Sequence, residues 1–121
     1  MKIKGITRDP HGLTDFSYIP LVLMAPTLAG FEANTKAAAI CRTFGITVLG
    51  YSLFTDAKWG IVKRIPYKTH AALDLSSGIL AFAVTVLPQI SKSRAAKKTF
   101  LAMGVTGLVV GVLSLIGSMH D

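Results

Sequence analysis

The sequence predicts an all-α fold: a four-helix transmembrane bundle made of two repeated helical hairpins. Three observations carry that expectation. The 121 residues are 51% hydrophobic and only 16% charged, with a mean hydropathy of +0.55, whereas a water-soluble domain carries about a quarter charged residues. The apolar residues gather in four stretches, each close to the roughly 20 residues a helix needs to cross a bilayer core. Sliding the chain by 59 residues also lays its rarest residue types on one another, His11 on His70 and Asp15 on Asp74. The expected organisation is a single four-span membrane domain over residues 1–121, with one repeat in 1–56 and the other in 57–121.

The first stretch, 13–31, follows Lys2, Lys4 and Arg8 and has the outline of a signal peptide. Asp15, Tyr18 and Pro20 interrupt its apolar core and three similar stretches follow, so it reads as a retained span. Pro20 and Pro26 should kink it, which neighbouring helices tolerate in a membrane. The second stretch, 37–54, is reached by a tight turn over 32–36. Arg42 lies near its start, where a long basic side chain can snorkel to the headgroups. Between the second and third stretches, residues 56–69 hold Trp59, Lys63, Arg64, Pro66 and Tyr67. Amphipathic rings with interleaved cations suit the headgroup zone, so this segment should lie along the interface. The third stretch, 71–90, leads into a basic turn with Lys92, Arg94, Lys97 and Lys98, and the fourth covers 99–119.

The 59-residue register extends through Ser17 and Ser76, Leu28 and Leu87, Gly45 and Gly104, Thr47 and Thr106, and Leu49 and Leu108. Two hairpins related by duplication would then enter from one side, as in parallel-repeat transporters. The same register aligns two small-residue faces, Ala38, Cys41, Gly45 and Ser52 in one span and Gly104, Gly107, Gly111, Ser114 and Ser118 in the other. In lipid such faces allow close backbone contact. They are expected as packing seams, with a homo-oligomer contact open to them, and Cys41 as a buried small residue rather than a nucleophile.

The excess of 13 Lys+Arg over 6 Asp+Glu gives a formal charge of +7. The cations sit in short clusters between apolar runs, as headgroup anchors do, so the expected partner is the lipid bilayer and not a nucleic acid. A single cysteine excludes a disulfide scaffold. No phosphate loop, nucleophile elbow or cysteine pair is present, and an enzyme is not the favoured expectation.

Four spans place His11, His70 and His120 on one membrane side with every acid except Glu32. The cations divide almost evenly between the sides, so the positive-inside rule favours cytoplasmic termini only slightly. His11 and Asp15 are four apart, as are His70 and Asp74, which stacks each pair on one helix face. Ionisable groups inside a membrane are costly and usually face a bundle interior. Three readings stay open. In the first the pairs are structural, each Asp accepting from its own His or capping a helix. In the second they form a metal site of His11, Asp15, His70 and Asp74, joined by His120, for which imidazole and carboxylate suit zinc, iron or manganese; a haem between His11 and His70 is the lesser form of that idea. In the third Asp15 and Asp74 serve a proton or cation pathway in a small proton-coupled transporter. A partner-binding subunit without any ligand is the rival to the last two.

Trp59-Gly60, Ile65-Pro66, and His70-x-x-x-Asp74-x-x-x-Gly78 resemble the SPW-repeat family of small bacterial membrane proteins, and His11-Gly12, Asp15, Pro20 and Ala25-Pro26 look like the same pattern. The family's Ser-Pro-Trp position is taken by Ala25-Pro26-Thr27 in the first unit and Val84-Thr85-Val86 in the second. The resemblance implies paired membrane spans with His and Asp where the helices begin, in a bacterial inner membrane. It implies no particular activity.

Overall fold

A computed structural model describes residues 5–120, and among them the structure is all-helical. The long helices are α1 (Arg8–Leu28), α2 (Thr35–Leu53), α3 (Tyr67–Ala83) and α5 (Arg94–Ser118), with a short α4 (Pro88–Ser91) between the last two. At about 1.5 Å per residue, α5 with its 25 residues is the longest. Two segments are long and apolar enough to cross a membrane: Tyr67–Val86, with a mean hydropathy of 1.3, and Arg94–Ser118, with 2.2.

The helix boundaries follow from local chemistry. Helix α1 begins a full turn before the apolar stretch does, because Arg8, Asp9 and His11 are helical although polar. It runs through Pro20 and Pro26 and ends where Gly30 takes a left-handed φ of 84°, the conformation glycine adopts most easily at a helix C-terminus. A proline cannot donate to the carbonyl four residues back, so Pro26 leaves the Val22 carbonyl without its helical partner. The Cys41 thiol donates to it at 3.3 Å. Asn34 caps α2 by accepting from the Ala37 N–H at 3.2 Å, and its side-chain amide reaches the Gln89 carbonyl at 2.7 Å. Helix α3 does not continue to residue 90. It tightens to a 3₁₀ turn over Val84–Val86, after which Leu87 is extended at φ −66°, ψ 137°. The cause is Pro88, whose ring excludes the α conformation from the preceding residue. Ser93 then caps α5 through the Ala96 N–H at 3.3 Å.

Helix α3 packs most intimately with α5, and α1 with α2; the pairs meet through α1 with α5 and α2 with α3. The α3–α5 contact is backbone on backbone. A Cβ built on Gly107 would lie 2.5 Å from the Gly78 Cα, and one on Gly111 would lie 2.7 Å from the Leu75 Cα. Glycine at these positions therefore sets the helix separation. Cys41 is fully buried between α1 and α5, with its sulfur 3.9 Å from that of Met103. Arg42 has protein partners at this end of the molecule. Its guanidinium binds the Glu32 carboxylate at 3.0 Å and the Leu23 carbonyl at 3.2 Å, tying the α1–α2 turn.

Burial divides the molecule into two halves. Val22, Phe31, Ala37, Cys41, Phe44, Ala81, Ile90, Ala96, Phe100 and Met103 form an apolar core around the α1–α2 turn and α4. The opposite half buries His11, Asp15, Ser52, Thr55, His70, Asp74 and Ser114. Large apolar side chains meanwhile face outward, among them Leu13 (77% exposed), Leu21, Met24, Ile46, Ile79, Leu80, Val105, Val109 and Val86 (79%).

Candidate metal centre

Each long helix contributes to the buried polar half. His11 and Asp15 are one turn apart on α1, and His70 and Asp74 on α3, so each pair stacks along its own axis. The two helices bring the pairs face to face. His11 Nε2 lies 2.9 Å from His70 Nε2, 3.0 Å from Asp15 Oδ2 and 2.9 Å from Asp74 Oδ2. His70 Nε2 lies 2.6 Å from Asp15 Oδ2 and 3.4 Å from Asp74 Oδ2. All four donor atoms fall within 4.8 Å of one another. Both histidines are fully buried, and the two aspartates nearly so.

A second layer of hydroxyls orients these side chains. Ser114 of α5 holds His11 Nδ1 at 2.7 Å, and Thr55, just past α2, holds His70 Nδ1 at 2.8 Å. The Tyr51 hydroxyl donates to Asp74 Oδ1, and the Ser52 hydroxyl donates to Asp15 Oδ2 at 3.3 Å. Asp74 Oδ2 meets no hydroxyl among the described residues and faces only the two imidazole nitrogens. Above the cluster, Trp59 packs against both imidazoles, with ring centres 5.9 Å from His11 and 5.1 Å from His70. Its indole N–H donates to the Arg8 carbonyl at 2.8 Å. Tyr67 is buried beside His11 and donates to the Ile6 carbonyl at 2.6 Å. The 56–69 segment thus turns its two aromatics onto the cluster and forms its roof, where the sequence suggested headgroup anchors.

Counting protons shows what the cluster lacks. The Thr55 hydroxyl spends its proton on the Tyr51 carbonyl, 2.7 Å away, so it must accept from His70 Nδ1–H. A neutral His70 then presents a bare lone pair at Nε2, facing the Asp15 carboxylate at 2.6 Å. Lone pair against carboxylate is repulsive without a positive charge between them. Protonating both Nε2 atoms gives each N–H a carboxylate, Asp15 for His70 at 2.6 Å and Asp74 for His11 at 2.9 Å, but crowds two imidazolium charges to 2.9 Å. Sharing one proton would leave net negative charge in apolar surroundings, which is strongly unfavourable. One divalent cation answers all three objections: it accepts four lone pairs and cancels two carboxylates. A tetrahedral ion with bonds of about 2.0–2.2 Å separates its donors by about 3.4 Å. To reach that geometry the closest donors, 2.6 Å apart, must open by about 0.8 Å, and the set, which spans up to 4.8 Å, must close by about 1.4 Å at its widest.

Of the five residues the sequence suggested as ligands, the structure brings together His11, Asp15, His70 and Asp74. His120 stays apart. It follows the end of α5 at Met119, is exposed, and has left the helix face on which Ser114 meets His11. A haem between His11 and His70 does not fit either, because 2.9 Å between the Nε2 atoms leaves no room for an iron and its macrocycle. Tyr51, Ser52, Thr55 and Ser114 were not singled out as site residues from sequence. A polar Tyr-Ser-x-x-Thr run at the level where α2 leaves its apolar stretch was the available signal. No family model, curated protein or solved structure matches the chain.

Proposed function

We propose that this chain is a four-span integral protein of a bacterial inner membrane that holds one divalent transition-metal ion through His11, Asp15, His70 and Asp74. The observation that carries the metal reading is the convergence of two imidazole nitrogens and two carboxylate oxygens within 4.8 Å of one another in a buried setting, with a hydroxyl already on each Nδ1. Mixed nitrogen and oxygen donors suit zinc, iron or manganese, and hydroxyls on both Nδ1 atoms are the outer partners that ligating histidines require. With donors from α1 and α3, the ion fastens one hairpin to the other.

Support for the membrane reading comes from a polar interior surrounded by apolar side chains, the reverse of a water-soluble fold. Lipid would cover Leu13, Leu21, Ile46, Ile79 and Val105, and all four long helices have about the length a bilayer core requires. Membership of the SPW-repeat family belongs to the same proposal and rests on the paired His-x-x-x-Asp helix starts. The proton-coupled transport reading is weaker, because a path through the bilayer would have to cross the apolar core between Val22, Phe44, Phe100 and Met103.

Elemental analysis of the protein purified in detergent tests the metal reading. One ion per chain is expected, falling at least tenfold in a His70→Ala, Asp74→Ala double variant that keeps its helical circular dichroism. Unchanged metal content in the folded double variant, or none in the parent after incubation with zinc, iron and manganese salts, would sink it.

A further inference from the structure

The cluster is roofed by Trp59, but its floor is open. On the side away from Trp59, the Asp15 and Asp74 carboxylates border a small cavity between the helices, with about 20 Å³ open to the centre of a water molecule. A polar cavity needs roughly 10–15 Å³ by that measure to hold one water. Thr14, Tyr18, Tyr51 and Ser77 contribute hydroxyls to its wall, and Gly107 keeps the wall thin at α5. Tyr51 is committed to Asp74. The hydroxyls of Thr14, Tyr18 and Ser77 have no hydrogen-bond partner among the described residues. Thr14, Tyr18 and Ser77 are half-buried, and their hydroxyls with the two buried carboxylates supply the polar part of a wall that is otherwise apolar.

We infer that the metal ion keeps one exchangeable coordination position, directed into this cavity, and that the position takes a single small hydrogen-bond acceptor: a water molecule that a small anion can replace. The inference rests on the metal reading above. The hydroxyls of Thr14, Tyr18 and Ser77 donate to the far side of the bound molecule, while the ion takes its lone pair. The space beside the carboxylates is about one water wide and half open to the outside, so a narrow anion such as azide enters only end-on. The ion is therefore five-coordinate, a geometry in which it can exchange a small ligand while all four side chains stay bound.

Cobalt(II) is the probe, because its visible bands are intense in a tetrahedral site and weak in a five-coordinate one. The detergent-purified protein would be stripped with a chelator, loaded with cobalt, and titrated with sodium azide. Weak bands that shift saturably with azide are expected. Thr14→Leu and Ser77→Val, which fill the cavity, should bind one cobalt, show intense tetrahedral bands and lose the azide response. Tyr18→Phe keeps the shape, removes one donor, and should weaken azide binding roughly fivefold to tenfold. Full cobalt uptake with intense bands and no azide response in the parent would overturn the cavity assignment and leave the metal site standing. An azide response unchanged in all three variants would overturn it equally. No cobalt uptake at all would remove the metal reading, and this inference with it.

Discussion

The α3–α5 seam offers a measurement in which the structure fixes both the clash and its control. Replacing Gly107 with Ala puts a methyl 2.5 Å from the Gly78 Cα and 2.8 Å from the Gly78 nitrogen. Comfortable carbon contacts are about 3.5–4.0 Å, so the helices must part by about 1 Å. Both obstructing atoms are backbone, and no side chain can swing aside. Overpacking of this kind costs about 1–3 kcal/mol, offset by the roughly 0.8–1.0 kcal/mol that Ala gains over Gly in a helix. Gly50 supplies the control, since a Cβ there meets nothing within 4 Å. Gly50→Ala takes the propensity gain without the clash, so the difference between the two variants isolates the seam. Gly107→Ala should be less stable than Gly50→Ala by about 1–3 kcal/mol, read from equilibrium unfolding in mixed micelles with rising SDS. The same substitution sets its methyl 3.2 Å from the Asp74 carbonyl, and a displaced α3 draws Asp74 away from His11. Metal affinity should fall with stability. Equal stability of the two variants would refute the argument that glycine sets this separation.

Three further outcomes are expected. Tyr51→Phe removes the hydrogen bond to Asp74 Oδ1 and should lower metal affinity about 10–100-fold, the usual effect of losing a ligand's outer partner; unaltered affinity in a competition with a chromophoric chelator would count against the orienting role. Trp59 is the sole tryptophan and sits 5.1 Å from the His70 ring, so stoichiometric cobalt should quench its emission, and an unquenched loaded protein would place the ion elsewhere. The Arg42 hydrogen bond, with Thr27 assisting, holds the Glu32 carboxyl below the usual carboxylate range. Its contribution to stability is present above the ordinary glutamate pKa and is lost as pH falls through the lowered one. Arg42→Gln should return Glu32 to the ordinary glutamate titration in a carboxyl-resolved NMR experiment, and an unmoved titration would contradict the pairing.

The helices were legible because apolar run length is a coarse signal that survives any detail of packing. Their boundaries were less so. Apolarity alone starts α1 at Leu13 and misses the helical turn that carries His11, whereas α3 loses its last predicted turn to Pro88, one residue's ring acting on its neighbour. The four clustered residues stood out because His and Asp are rare in apolar sequence and came in matching pairs. Their hydroxyl partners did not, since Ser52 and Ser114 are indistinguishable by composition from residues that pack helices closely. The contacts of Trp59 and Tyr67 with the imidazoles were hidden for a related reason. An amphipathic ring suits a headgroup and a buried imidazole equally well, and only the path of the 56–69 segment decides between them. His120 shared a membrane side with the cluster in sequence terms, but a shared side is a weaker constraint than a shared helix face.

The four donors arrive from two hairpins 59 residues apart in the chain. On the proposed membrane and metal readings, a chain that enters the bilayer hairpin by hairpin would first expose His11 and Asp15 on α1 without their partners, with Asp15 an unneutralised acid beside lipid. The site comes into being only when α3 docks, and the ion can bind tightly only after that. Metal capture would therefore mark the completion of assembly, separating finished molecules from half-inserted ones. A cell short of the metal should accumulate chains whose first hairpin is in place and whose second remains unfastened.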